Sequence, residues 1–298
     1  MLSDFPVSAL RSVTLSTPDL PAALAFYTKV WQLELVVQAP DRAYLAASGD
    51  DLYVLELVSG PQAALCKVSF RVRAETDLPA LYKACEQAGC DMITSLHEIA
   101  DPAGGMGFEV REPQGCHLEF IYGDKRREGK EVANRPYRLA HVNINTADIS
   151  ALSDFWQNIL GFRLTDRSKF MAFLCCNRDH HAVVLAEAPV NGLNHVAFLL
   201  PDLESVMRGA GHVIDHGCFI GWGPGRHGPG DNVFTYFVGP DGVVIEYTAE
   251  VLQVDETYRV GGPQDWVWPP GRTDHWGIAP AKTEECKKAQ LSISFKRD

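Results

Sequence analysis

No run of apolar residues in this chain approaches the ~20 that a membrane-spanning helix needs. The opening MLSDFPVSALRSV also lacks the basic and apolar regions of a secretory leader. Membranes are therefore not expected as partners. Positive charge is scarce: 27 Lys and Arg against 38 Asp and Glu give a net charge of -11 and a pI near 5.4. Such a surface repels phosphate backbones, so nucleic acid is not expected either. The eight cysteines, at 66, 85, 90, 116, 175, 176, 218 and 286, form no CxxC pair and no regular framework. They read as reduced thiols, which points to a cytoplasmic protein held together by apolar burial. With 46% apolar residues over 298 positions, the chain suits one large domain or two of ordinary size.

The chain repeats itself. LRSVTLSTPDLPAALAFYTKVWQLEL (from Leu10) aligns with LAHVNINTADISALSDFWQNILGFRL (from Leu139) at an offset of 129. Val13 pairs with Val142, Thr17 with Thr146, Asp19 with Asp148 and Phe26 with Phe155. KVSFRV (from Lys67) aligns with HVAFLL (from His195) at an offset of 128, and EPQGCHLEFIYG (from Glu112) with GPDGVVIEYTAE (from Gly239) at 127. Three matches in order, with offsets drifting by two, indicate duplication.

Each half reads as a strand, an amphipathic helix and then several strands, an α+β pattern. In RLAHVNIN, Ala140, Val142 and Ile144 are expected on one face of a strand, with His141, Asn143 and Asn145 on the other. Asn145 is expected to face solvent. TADISALSDFWQNILGF has a Thr/Asp start, apolar residues at Leu152, Phe155, Trp156, Ile159 and Leu160, and a closing Gly, so it predicts a helix. DLESVMRGAGH predicts another, and VFTYFVGPDGVVIEY a hairpin. A charge-rich stretch, GDKRREGKEVANRP, links the halves, and the tail after Glu250 has no counterpart.

The duplication supplies an internal comparison. His141 stands opposite Ser12, His195 opposite Lys67 and Glu246 opposite Glu119. Two histidines and a carboxylate form the facial triad that suits non-haem iron and leaves coordination positions open. Taken singly, each has a plain reading: a satisfied polar residue for the histidines, an edge-strand solubiliser for Glu246. Their joint placement at corresponding ends of the repeat units, with two abandoned together in the first half, favours a metal site.

With these residues the chain resembles the two-domain extradiol ring-cleaving dioxygenases of the vicinal oxygen chelate superfamily. The resemblance implies tandem βαβββ modules in two homologous domains, 1–122 without metal and 138–250 with it, joined by a linker at 123–137 and followed by a tail or lid at 251–298. It also implies His141, His195 and Glu246 as ligands of Fe(II), with Mn(II) as the alternative, O2 as co-substrate, and homo-oligomers. In RDHHAVVL, fourteen residues before His195, His181 resembles the family's acid–base histidine, and imidazole suits that task near neutral pH. His180 reads instead as part of a solvated turn. In GPGRHGPGDNVFTY, His227 and Tyr236 match a pair that hydrogen-bonds the substrate's ionised oxygen.

The resemblance places Asn143, Phe173, Trp222 and Thr273 around an aromatic diol. The tail RTDHWGIAP resembles the lid of the homoprotocatechuate branch, which grips a carboxylate with two arginines. Trp222 and Thr273 stand at those positions here, so a neutral ring is expected, a methylcatechol or a trihydroxytoluene. Two rivals share the scaffold: a glyoxalase-type isomerase or lyase that needs no oxygen, and a non-catalytic binding module.

Overall fold

A computed structural model of the chain describes residues 5–296; residues 1–4 and 297–298, at the ends of the expected first domain and tail, lie outside the described residues. Four βαβββ units follow one another, the second with the strand after its helix split into two short pieces that both pair with the next strand. The first comprises β1 (Val7–Thr17), α1 (Leu20–Lys29), β2 (Glu34–Ala39), β3 (Arg42–Ala46) and β4 (Leu55–Ser59). The second runs through β5 (Ala64–Val72), α2 (Asp77–Gln87), the short β6 (Asp91–Met92) and β7 (His97–Glu98), β8 (Met106–Arg111) and β9 (His117–Tyr122). The third has β10 (Arg138–Thr146), α3 (Ile149–Asn158), β11 (Arg163–Arg167), β12 (Met171–Cys175) and β13 (Val183–Glu187). The fourth has β14 (Gly192–Leu199), α4 (Leu203–Asp215), β15 (Ile220–Arg226), β16 (Val233–Val238) and β17 (Val244–Ala249). The tail adds α5 (Glu284–Ala289) and β18 (Ile293–Phe295).

The repeated Thr-x-Asp explains why each half turns from strand to helix at the same place. Asp19 and Asp148 each accept from the backbone N–H three residues on, both at 3.0 Å, and so cap α1 and α3. Thr17 and Thr146 accept from the N–H of that aspartate at 3.2 and 3.1 Å, which fixes the approach.

Within each half the two units pair through their first strands, β1 antiparallel to β5 and β10 antiparallel to β14. In the second half this gives the strand order β11-β12-β13-β10-β14-β17-β16-β15. Val142 and Ile144 face the main core. Ala140 departs from the expected alternation: the pairing with β14 slips by one residue between Leu139 and His141, and Ala140 instead packs with Ala197, Leu199 and Val251.

The halves share one core. Trp31, fully buried, stacks on Tyr247 with ring centroids 3.8 Å apart, and the Tyr247 hydroxyl donates to the Trp31 carbonyl at 3.0 Å. Phe70 meets the edges of Trp156 and Phe162 at 5.6 and 5.4 Å. β18 pairs with β14 on one side and β5 on the other, so one tail strand joins the sheets of both halves. Among the described residues no helix is long and apolar enough to cross a membrane, and all eight cysteines are free thiols.

Candidate metal centre and active site

Adjacent strands deliver the triad by register. His141 on β10 lies opposite Ala197 of β14, whose other neighbour is Glu246 on β17, while His195 lies opposite Asn143. All three side chains are buried. The Nε2 atoms of His141 and His195 stand 3.0 Å apart, and each faces Glu246 Oε2, at 3.3 and 3.1 Å. Donor atoms about 2.1 Å from one ion stand about 3.0 Å apart at right angles and about 3.4 Å apart at tetrahedral angles, so these spacings fit one face of an octahedron. The electrostatics agree. Neither oxygen of buried Glu246 makes a hydrogen bond of good geometry, an arrangement that costs several kcal/mol unless a cation occupies the centre.

Burial would raise the Glu246 carboxyl, but the imidazoles of His141, His195 and His227 hold it well below the usual carboxylate range. Burial pushes His195 down to about 4 despite that carboxylate, and lowers His227 likewise. An ionised Glu246 beside a neutral His195 is the protonation state that metal binding requires.

The first half shows what fills the space otherwise. Lys67 donates to Glu119 at 2.7 Å and Glu109 at 3.1 Å, and buried Arg11 reaches Asp101 and Asp124 at 3.0 and 3.2 Å. Fixed ammonium and guanidinium groups balance the carboxylates there. Among the described residues, His141, His195 and Glu246 form the one group of three such side chains close enough to share an ion.

The triad opens on a cavity of ≈ 350 Å³ that is also lined by His181, His227 and Tyr236. The His181 ring lies 4.5 Å from that of His141. His227 Nε2 lies 3.0 Å from the Tyr236 hydroxyl and 3.7 Å from Glu246 Oε1, and its ring stacks on Phe234 at 4.0 Å. Tyr236 pairs in register with Glu246 across β16 and β17. Asn143, Phe173, Trp222 and Thr273 line the same space. The Asn143 side-chain oxygen Oδ1 is buried without a partner among the described residues, and the Trp222 indole donates to Thr273 Oγ1 at 3.4 Å. The structure thus brings together all ten residues singled out from the sequence.

Two expectations are corrected. His180 is fully buried rather than in a solvated turn: its Nε2 meets Asp166 Oδ2 at 2.7 Å and its Nδ1 meets His181 Nδ1 at 3.0 Å. Tyr258 and the Gly261 N–H, both from the tail, also donate to Asp166, at 3.1 and 2.7 Å. Gly230 covers the pair at φ 80°, where a Cβ would stand 2.7 Å from His181 Cε1, so only glycine fits. Asn145 is buried rather than solvent-facing, because the tail folds over it: its amide donates to the Gln290 carbonyl at 2.6 Å and its oxygen accepts from Asn194 at 2.8 Å. Asn194 Oδ1 meets His195 Nδ1 at 2.8 Å and so orients a ligand. Asp166, Asn194, Gln290 and Lys282 escaped the sequence reading. The one available signal was adjacency, Asn194 to His195 and His180 to His181.

Comparison with known proteins agrees with this architecture. The model of the glyoxalase/bleomycin resistance protein/dioxygenase superfamily matches residues 9–120 and again 138–247. The Mn(II)-bound glyoxalase of Novosphingobium aromaticivorans superposes with a TM-score of 0.89 at 32% identity, covering 94% of each chain. Metapyrocatechase 2 of Cupriavidus necator is 34% identical over 139 residues, 46% of this chain and 41% of that protein, so the match spans less than half of either. The manganese-dependent 2,3-dihydroxybiphenyl 1,2-dioxygenase of Geobacillus genomosp. 3 is 24% identical over 78% of this chain and 82% of its own. The chain therefore belongs to the glyoxalase/bleomycin resistance protein/dioxygenase superfamily, as a two-domain member built like its extradiol catechol dioxygenases.

Proposed function

We propose that the chain is an extradiol dioxygenase that opens the ring of a substituted catechol beside its two hydroxyls with both atoms of O2. The observation that carries this reading is the convergence of an acid–base histidine, a His–Tyr pair and a two-His-one-carboxylate triad on one cavity. His141, His195 and Glu246 would hold Fe(II) or Mn(II). When bound, such a metal acidifies the catechol hydroxyls and carries electron density from ring to dioxygen.

The chain's own groups have distinct tasks. The His180 contact directs His181 Nδ1 away from the substrate and leaves the other ring nitrogen to take and return a proton. Tyr236 and His227, 3.0 Å apart, are placed to hydrogen-bond the substrate oxygen that loses its proton. Burial raises the Tyr236 hydroxyl far above its ordinary value, so it stays a donor at neutral pH. Phe173 and Trp222 supply flat apolar walls that exclude water and hold a ring.

The absence of arginine at Trp222 and Thr273 supports a ring without a paired-arginine clamp, such as the alkyl- or hydroxy-catechols expected from sequence. Lys282, which that argument did not include, opposes it. The free cysteines support a reducing, cytoplasmic setting. The outer strand β2, with Leu35 and Val37 each 40% exposed, supports assembly into homo-oligomers.

The similarity to a protein named a glyoxalase favours a second reading, an oxygen-independent isomerase or lyase. Oxygen uptake by Fe(II)-loaded protein over a catechol panel, with absorbance of the yellow ring-opened product, separates the two. Stoichiometric uptake is expected; no uptake with metal bound would favour the isomerase or lyase.

A further inference from the structure

The chain carries a net charge of -11, yet apart from Glu246 of the triad no aspartate or glutamate stands at the cavity, and two lysines line it. Lys169 stands exposed at the rim, over the Phe170 ring at 4.9 Å. Lys282 reaches in from the tail. Its Nζ sits 4.5 Å from the Trp222 ring centroid and 5.7 Å from that of Tyr236, and donates to Gln290 Oε1 at 2.6 Å. Among the described residues no carboxylate lies within ion-pair distance of it. Three other inward-reaching cations are paired with carboxylates: Arg11 with Asp101 and Asp124, Lys67 with Glu109 and Glu119, and Arg138 with Asp179. Lys282 has no such partner among the described residues.

Its position is held deliberately. Gln290 donates to Asn194 Oδ1 at 2.7 Å, and Asn194 in turn meets the ligand His195 at 2.8 Å. One chain of hydrogen bonds therefore ties the ammonium to the metal centre. Two aromatic faces and one amide oxygen do not replace an ammonium's hydration, and burial pushes the Lys282 pKa down accordingly. A metal with one carboxylate and two neutral imidazoles leaves the centre at about +1, and Lys282 raises the cavity to about +2. A catechol bound as a monoanion balances one of these charges. A second negative charge on the substrate balances the other.

We propose that Lys282 is the anion-binding group of this cavity, and that the substrate is a catechol bearing an acidic side group, a carboxylate in the simplest case. This rests on the catechol reading above and replaces the neutral ring expected from the sequence, since one lysine from the tail takes the place of two absent arginines. Lys169 at the rim would attract the same anion on its way in.

The test is calorimetric titration, without oxygen, of Fe(II)-loaded protein. The ligands are dihydroxybenzoate, dihydroxyphenylacetate and dihydroxyphenylpropionate, each against its methyl ester. The wild-type protein is expected to bind at least one acid about ten- to a hundredfold more tightly than its ester, the range for a hydrogen bond to a charged group. Lys282→Met should remove that preference and leave the ester unchanged, while Lys282→Arg should retain part of it. Equal affinity for every acid and ester in the wild-type protein would overturn the proposal, whatever the variants do. So would a Lys282→Met variant that weakens acid and ester alike. Oxygen uptake with an ester but no acid preference would overturn the role of Lys282 and leave ring cleavage standing, whereas failure to bind any of the catechols would overturn both.

Discussion

Asp166→Asn should slow turnover without touching metal or fold. His180 Nε2 lies 2.7 Å from Asp166 Oδ2, an acceptor only, so that nitrogen carries the proton. His180 Nδ1 is then a lone pair, and it faces His181 Nδ1 at 3.0 Å, so His181 must donate from Nδ1 and keep Nε2 bare. The carboxylate thus sets the tautomer of the acid–base residue through one intermediary. Asparagine is the same size but offers one acceptor oxygen where the carboxylate gives one to His180 and one to the Gly261 N–H. Losing a charge-assisted bond of about 1.5–3 kcal/mol releases the tautomer, equivalent to about 10–150-fold, in line with the ~10–100-fold effects of outer-shell partners. The assay is steady-state turnover of the best catechol beside metal analysis and a melting curve. Expected are a kcat about ten- to a hundredfold lower, an unchanged KM and full metal content. A folded, metal-replete variant with wild-type kcat would refute the chain of reasoning.

His195→Ala should abolish metal retention, and stoichiometric metal in the purified variant would contradict the ligand assignment. His181→Asn should keep the metal yet turn over at least about tenfold more slowly; an unaltered rate would remove it from the proton transfers. Trp31→Ala empties the fully buried site against Tyr247 between the halves and should cost about 3–5 kcal/mol by urea midpoint; a loss below about 1 kcal/mol would mean that the halves do not depend on this core. In the metal-free protein, His195 titrates near 4 when folded and near ~6.5 when unfolded, so between those values the unfolded chain binds a proton that the folded chain does not. Stability should therefore fall as pH drops from about 6.5 to 4, by up to about 1.4 kcal/mol per pH unit, and a flat profile of urea midpoints would contradict this.

The repeat made most of the fold legible, because a duplicated cap such as Thr17/Asp19 and Thr146/Asp148 does the same physical work twice. The triad was legible because one copy had lost it: Ser12 and Lys67 against His141 and His195 is a contrast within a single chain. The tail had no such partner. Gln290 meets Asn145 across 145 positions and Asp166 meets Tyr258 across 92, distances at which no periodicity operates. Asn145 therefore read as a solvent-facing position and Lys282 passed unnoticed. Ala140 was misplaced for a local reason, since a one-residue bulge reverses which face a side chain meets.

The central claim is that both atoms of dioxygen enter a cleaved catechol ring. Mass spectrometry of the product formed by Fe(II)-loaded protein under isotopically labelled O2 tests it most directly. The account predicts a ring-opened product carrying two labelled oxygen atoms, formed in step with oxygen consumed. A product isomeric with its substrate, formed at the same rate without oxygen, would contradict it.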